Sequence, residues 1–180
     1  MSENVTTPTT TTTTEVATSD LVLRCQFEAY MMCGTGNDAA YQLIGEGFTS
    51  LPVSMNAKEY ARKYINYKTE KTDVIGYAPS MAYSCDVILN DPVVEEVVEI
   101  TDGEYLGSAT HRDIVSVNCW DEVTTGEFRA VKRTYAIIPD GKGEGTDAMI
   151  YTGTMKAVSD RIEGTFNRTT KTFTPASSGT

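Results

Sequence analysis

Short stretches of alternating apolar and polar residues, separated by turn residues, make up most of this sequence, and only one stretch has helical spacing. Met81–Leu89 and Asp113–Trp120 show the alternation clearly, because every second residue of a strand shares one face. Several strands at short spacing, without crossover helices between them, favour a β-sandwich or barrel over a doubly wound α/β fold. Seven to nine strands are expected in all, and the other predicted ones with clear bounds are Leu21–Phe27, Ala40–Ile44, Glu127–Ile138, Met149–Val158 and Gly164–Phe173.

A single flanking helix is predicted at about residues 92–101. Asp91 is a suitable N-cap, Pro92 fits the first helical position, and Gly103 ends the pattern. A helix of about ten residues is stable only when it leans on another layer. We therefore expect its valines, in particular Val94, Val97 and Val98, to pack against the sandwich.

The chain divides into a low-complexity arm, one domain and a short tail. Residues 1–19 form a Thr-rich arm, and nine threonines lie within the first twenty residues. Such a segment has almost nothing to bury, so we expect it to be disordered in isolation and able to order against a partner. Residues 20–175 are long enough for one domain with a sizeable core, and residues 176–180 remain as a C-terminal tail.

The net charge of −10 excludes several classes of partner. Proteins held to nucleic acid by phosphate contacts need a basic face, and adsorption to an anionic membrane needs one too. No apolar stretch approaches the roughly 20 residues that cross a bilayer, and the N-terminus lacks the pattern of a signal peptide. The four cysteines have no CxxC spacing, so we expect reduced thiols, with Cys85 and Cys119 as core residues.

No motif in the sequence indicates catalysis. The only histidine, His111, begins a strand beside Asp113, and nothing places a nucleophile near them. The run Gly141–Gly145 lacks the features of a phosphate-binding loop and is interpreted as a hairpin connection. Glu95, Glu96 and Glu99 fit the exposed face of a short helix better than a hydrolytic pair. We therefore expect no enzyme activity, no metal site and no cofactor.

Residues 45–80 form a long polar excursion, which a compact domain rarely contains without a use. Tyrosines alternate there with basic residues, as in an extended strand or hairpin arm, although a helix is also compatible with the spacing. Tyrosine and arginine are enriched in protein interfaces, and the natural partner of a basic loop on an acidic protein is another copy. A solvated surface loop is the alternative. The predicted inter-subunit contact residues are Tyr60, Arg62, Lys63, Tyr64 and Tyr67.

Five segments, in this order and at this spacing, resemble the major tail protein, or tail tube protein, of long-tailed, non-contractile bacteriophages of Gram-positive hosts. The resemblance covers roughly residues 20–175 and leaves the Thr-rich arm unexplained. The segments are Tyr41–Phe48, Asn56–Thr69 with Arg62–Asn66 at its centre, Val74–Tyr77, Asn90–Ile100 and Gly153–Phe173.

The resemblance implies a tail-tube β-sandwich flanked by one helix, present in the virion and assembled in the host cytoplasm. Six copies would form a ring by joining their sheets, and the rings would stack into a tube. The implied partners are further copies of the chain, the tape-measure protein inside the tube, other tail proteins at its ends, and double-stranded DNA that passes without specific binding. No membrane is implied. Glu127–Thr134 would face either the lumen or the outside.

Two other classes of function remain open. One is the inner tube or terminator protein of another phage-tail-like machine, which sequence separates poorly from a tail tube. The other is a monomeric β-sandwich that binds a carbohydrate or peptide. A carboxylate-dependent hydrolase would need two carboxylates converging in a deep pocket.

Overall fold

A computed structural model describes residues 21–143 and 145–177, and most of them form β-strands. The prediction of a mainly β fold with one helix is confirmed for these residues, although the expected seven to nine strands are too few. The Thr-rich arm lies outside the described residues. The elements are β1 (Phe27–Cys33), β2 (Ala40–Leu43), β3 (Phe48–Ser50), β4 (Val53–Ser54), β5 (Ala57–Arg62), β6 (Lys71–Tyr77), β7 (Ser80–Asp86), α1 (Pro92–Asp102), β8 (His111–Thr124), β9 (Glu127–Lys142), β10 (Ile150–Ala157), β11 (Ile162–Asn167) and β12 (Thr172–Pro175).

The long strand β9 is the centre of the main sheet, which curls into an open half-barrel. Its N-terminal half pairs with β11, and its C-terminal half pairs with β10. Along its other edge β9 pairs with β8, which continues to β1 and β2. The sheet therefore divides at β9 into two branches, β10–β7–β3 and β11–β12, while β5 and β6 form a separate two-stranded sheet.

The larger core lies between the sheet and α1, and we call it the helix-side core. Alternate residues of β1 point into it, because Ala29, Met31 and Cys33 share one face of the strand. Tyr83 and Cys85 of β7 reach it from the other branch of the sheet. Its fully buried large side chains include Met31, Met81, Val93, Val97, Ile100, Ile114, Ile137 and Met155.

A second core, the hairpin-side core, lies under the β11–β12 hairpin on the opposite face of β1 and β8. Phe166 of β11 is fully buried there, with its ring centroid 4.5 Å from that of Tyr30 and 5.8 Å from that of Tyr41. The neighbours Ile114 and Val115 of β8 are both fully buried, one in each core. The strand is therefore covered on both faces.

The helix begins and ends where the sequence predicts. The Asp91 carboxylate accepts hydrogen bonds from the backbone N–H groups of Val93 and Val94, at 2.9 and 3.0 Å. Gly103 ends the helix with φ −78°, so its role is steric. A Cβ at this position would lie 2.5 Å from the Tyr105 ring and 2.8 Å from the carbonyl oxygen of Glu99.

Three predicted strands contain three or more residues that the structure places outside strands, whereas β8 and β9 continue four residues beyond their predicted ends at Trp120 and Ile138. Leu21–Phe27 contains a 3-10 turn at Arg24–Gln26, because the Gln26 side chain accepts a hydrogen bond from the Leu23 N–H and holds the chain in a turn. The strand starts only at Phe27.

Gly164–Phe173 is a hairpin, because the Asn167 carboxamide oxygen accepts from the N–H groups of Thr169 and Thr170 and closes a turn. The strand predicted at Met81–Leu89 stops at Asp86, and the Leu89 side chain is 82% exposed.

Candidate assembly interface

The strands β5 and β6, with the connection 63–70, form a hairpin that we call the arm (residues 57–77). Among the described residues its strands pair only with each other, and nearly every arm residue is exposed. The residue pattern of this segment is compatible with a strand, a hairpin or a helix, and the structure shows a hairpin. A two-stranded hairpin without a covering layer is marginally stable in water, so the arm depends on contacts at its base and on any surface that covers it.

Asn56 holds the base of the arm. Its side-chain amide donates to the Ala78 carbonyl at 3.0 Å and to the Ser80 hydroxyl at 2.9 Å. Its carbonyl accepts from the Ala78 N–H at 3.3 Å. The backbone of Asn56 has φ +45°, a left-handed conformation that asparagine tolerates better than most residues. Asn56 therefore joins the arm to β7.

One face of the arm forms a shallow groove of about 480 Å³. Cross-strand pairing places Tyr60 opposite Asp73 and Arg62 opposite Lys71, so these four side chains share that face. The groove is lined by Tyr60, Arg62, Tyr64, Asn66, Tyr67, Lys71 and Asp73.

Aromatic rings hold the two cations of the groove. The Arg62 guanidinium donates from Nε to the Tyr60 hydroxyl at 2.8 Å and lies 5.2 Å from the centroid of that ring. The Lys71 ammonium lies 4.3 Å from the centroid of the Tyr67 ring. Cation–π contacts of this kind orient a charge without neutralising it. The groove therefore presents two oriented positive charges to solvent.

Four of the five predicted contact residues line the groove together: Tyr60, Arg62, Tyr64 and Tyr67. Lys63 follows the end of β5 and is not among the lining residues. Sequence reasoning missed Lys71, which occupies the position opposite Arg62. Its signal is the cross-strand register, which pairs Arg62 with Lys71 next to the hairpin connection.

The arm also exposes apolar side chains that were not predicted as contacts. Ile65 at the tip is fully exposed, and the β6 residues Val74, Ile75 and Tyr77 are 53%, 65% and 58% exposed. In the sequence, Val74–Tyr77 was singled out only as a segment of the tail-tube resemblance and not as a contact surface. Several large apolar side chains exposed on one projecting element are typical of an interaction surface.

Residues 81–110, which follow the arm, carry the opposite charge. They contain seven Asp and Glu residues and no Lys, Arg or His. Glu96 pairs with Arg112 at 2.6 Å and Asp102 with Lys142 at 2.6 Å, and the hydrogen bond from Lys142 lowers the pKa of the Asp102 carboxyl. Glu95 and Glu99 lie on the exposed side of α1.

The three valines of α1 that were predicted to pack against the sandwich differ in burial. Val94 and Val97 are buried, at 1% and 0% exposure, whereas Val98 is half-buried at the edge of the helix-side core. Val93 and Ile100 are also buried. The buried set follows the helical period and leaves Glu95 and Glu99 on the outside.

Asp113, one of the two residues considered for catalysis, has other partners. The Asp113 carboxylate binds the Lys132 ammonium at 2.8 Å and the Thr134 hydroxyl at 2.6 Å. Burial raises its pKa, but these two hydrogen bonds outweigh the burial and leave the pKa below its usual value. Across residues 21–143 and 145–177, no group of three His, Cys, Asp or Glu residues is placed to hold a metal ion.

The sequence predicts reduced thiols, with Cys85 and Cys119 as core residues. All four cysteines are free; Cys33 and Cys85 are buried, Cys119 is half-buried and Cys25 is exposed.

Glu127–Thr134 belongs to β9 and alternates between the faces of the sheet: the Lys132 ammonium pairs with Asp113, and the Arg133 guanidinium donates to the Ser159 carbonyl. Within the described part of the chain, no helix has the length and apolar character needed to cross a membrane.

Comparison with known proteins gives similarity at the level of structure but not of sequence. No protein-family model matches the sequence, and no curated protein matches it. Among solved structures, the chain is similar to a chain of the cryo-EM structure of the anti-feeding prophage (AFP) baseplate, 6-fold symmetrised. The two are 10% identical, with a TM-score of 0.48, over 81% of this chain and 96% of that chain. The tail-tube resemblance stays a prediction from the sequence.

Proposed function

We propose that this chain is a structural protein of a phage tail or a phage-tail-like particle, in which its copies assemble into a tube. The observation that carries the proposal is the arm: a projecting hairpin with exposed tyrosines and apolar residues around two oriented cations. A chain with net charge −10 that concentrates an excess of basic residues on one projection favours its own copies as partners.

The ends of the main sheet support the same proposal. The sheet ends at β2 on one side; on the other side one branch ends at β3 and β4, which both pair with β7, and the other branch ends at β12. Unpaired strand edges promote association with other chains, and a closed ring of copies pairs them. Sheet joining around a ring and contacts through the arm would then act together.

At the finer level, we propose stacked hexameric rings in the virion, enclosing a tape-measure protein and later conducting DNA. The sequence resemblance is the support for hexamers, stacking and the tape measure. The strongly acidic composition fits a conduit, because an acidic lumen repels the phosphates of passing DNA and prevents binding. On this proposal the chain has no catalytic role.

Negative-stain electron microscopy of the purified protein, with light scattering on the same sample, tests the proposal. Hollow tubes or rings are the expected result, and their rotational symmetry tests the hexamer. A particle that stays at the 19.6 kDa monomer mass at all concentrations contradicts it. That outcome favours a monomeric binding module.

The substitution Arg62→Glu/Lys63→Glu should yield a folded monomer that no longer forms tubes. Both residues are exposed, so the fold does not depend on them, whereas the reversed charge repels an acidic neighbour. Circular dichroism checks the fold and electron microscopy checks assembly. The charge-conserving control Arg62→Lys/Lys63→Arg should retain most assembly. Normal tubes from the Glu variant would contradict the role of the arm.

A further inference from the structure

Arg62 and Lys71 form a like-charged pair directly opposite each other, at the distal end of the β5–β6 pairing. Like charges at directly opposed positions destabilise a strand pair. No carboxylate among the described residues pairs with either cation, although Asp73 lines the same groove. A carboxylate bound between them would remove the repulsion and stabilise the marginal hairpin.

The surroundings of the pair suit an anionic protein surface better than a free ion. The groove is open and shallow, and Tyr60, Tyr64 and Tyr67 form its walls. Ile65 at the adjoining tip is fully exposed. Tyrosine, arginine and apolar anchors around a charged centre are the composition of a protein–protein contact. The groove therefore fits carboxylates that are carried on a partly apolar surface.

The chain contains one such surface on α1. Glu95 and Glu99 are four residues apart, so they are neighbours on the same face of the helix, and both are exposed. The leucines that precede and follow the helix, Leu89 and Leu106, are 82% and 85% exposed. The flanking basic groups, Arg112 and Lys142, are already paired with Glu96 and Asp102. Glu99 Oε1 accepts a hydrogen bond from the Tyr105 hydroxyl at 2.6 Å, but this neutral donor leaves the negative charge in place. Neither Glu95 nor Glu99 forms an ion pair among the described residues, so both charges are available to an external cation.

We propose that the arm groove of one copy binds the Glu95–Glu99 face of α1 in a second copy. The inference deepens the proposed function, on which it rests, by naming the surface that the arm recognises. Arg62 and Lys71 pair with the two carboxylates, while the tyrosines and Ile65 contact the apolar residues that flank the helix. Within the described residues no ion pair joins the arm to α1, so the contact is between copies.

The contact is heterologous, because it joins two different surfaces of the same chain. Each copy offers one groove and one acidic face, so every bound copy leaves one of each for the next. Heterologous contacts generate rings or open filaments, depending on whether the rotation closes. The pairing is therefore compatible with contacts within a ring and with contacts between stacked rings.

Charge exchange tests the pairing. Sedimentation velocity at low ionic strength measures self-association of the wild type, Arg62→Glu/Lys71→Glu, Glu95→Lys/Glu99→Lys, and the quadruple variant that combines them. We expect each double variant to weaken association at least about tenfold and the quadruple variant to restore it. Lys58→Glu/Lys68→Glu is the matched control, because it changes the charge of the arm equally outside the groove. Circular dichroism confirms that all variants fold.

The outcomes separate the pairing from the proposed function. A quadruple variant that stays as weak as the double variants overturns the pairing, and so does a Glu95→Lys/Glu99→Lys variant that associates like the wild type. Tubes from the wild type in either case leave the tube function intact. Restored association without tubes or rings in electron micrographs supports the pairing and contradicts the tube. A wild type that never associates contradicts both.

Discussion

At Gly153 the fold leaves no room for a side chain, because a large tyrosine side chain of the neighbouring strand occupies the space. Gly153 of β10 lies opposite Tyr83 of β7. A Cβ at Gly153 would lie 2.5 Å from the Tyr83 hydroxyl and 2.5 Å from the Ile138 carbonyl oxygen. Tyr83 is only 3% exposed and fills the helix-side core. The missing side chain at Gly153 is thus what lets this tyrosine lie across the sheet.

We expect Gly153→Ala to lower the free energy of unfolding by about 1–3 kcal/mol, because the new methyl group overpacks against a backbone oxygen that has little room to move. Urea unfolding followed by fluorescence measures the change. Gly76→Ala in the arm is the control, since nothing lies within 4 Å of its added Cβ. Equal stabilities for the two variants would contradict the steric role of Gly153.

The residue roles that could be predicted from the sequence are those that depend on near neighbours in the chain. Asp91 acts through hydrogen bonds two and three residues away, so its capping was predictable. Lys71 acts through its position opposite Arg62, which lies nine residues earlier on the other side of the hairpin connection. No local pattern contains that information, and the contact residues were predicted with Lys63 among them and without Lys71.

At the scale of elements, α1 is held by the side it buries. Val93, Val94, Val97 and Ile100 are each at most 1% exposed, and burying a valine or isoleucine contributes about 1.5–3 kcal/mol. The helix spans only eleven residues, so it would not persist in water alone. Its packing against β1, β2 and β9 therefore decides whether it forms.

Val97→Asp should prevent folding or lower the unfolding free energy by more than about 3 kcal/mol, because it places an unpaired carboxylate in the helix-side core. Expression yield and thermal unfolding measure the effect. Leu89→Asp provides the matched substitution at a position that is 82% exposed, and it should leave stability nearly unchanged. A stable, assembling Val97→Asp variant would be inconsistent with a buried helix.

An alternating pattern of residues determines neither the type of a whole element nor which distant strands pair with it. The helix was predicted to within about one residue, because cap, proline and valine period agree at Asp91–Gly103. The arm was predicted as a strand, a hairpin or a helix, because Tyr60, Arg62, Tyr64 and Asn66 alternate into a tip that is no longer paired. The division of the sheet at β9 had no local signal, since it depends on which distant strands pair with each half.

At the scale of the whole molecule, the cores bury weak acids in their neutral form. Burial raises the pKa of the Cys85 thiol to about 11 and that of the Cys33 thiol, which also lies near Glu96, to about 12. Burial and a hydrogen bond to Glu28 raise the pKa of Tyr30 to about 12. These groups bind their protons more tightly in the folded chain than in the unfolded chain, so the fold is sensitive to base.

We expect the free energy of unfolding to fall between about pH 9 and pH 12. A pKa raised by folding contributes full stability below the unfolded value, near 8.5 for a thiol, and loses it as the pH rises through the folded value. Urea unfolding at a series of pH values measures the slope. Cys85→Ala should flatten it, whereas Cys25→Ser, at an exposed thiol, should not. A stability that is constant up to pH 11 would contradict this.

The strand β9 has a consequence for how the molecule fails under stress. It contributes side chains to both cores and pairs with both branches of the sheet. If β9 detaches, both cores lose a strand against which their side chains pack. The two cores therefore unfold as one cooperative unit, although their side chains form separate clusters. A tensile force applied to either branch reaches the other through β9, so this one strand transmits the mechanical load between the branches.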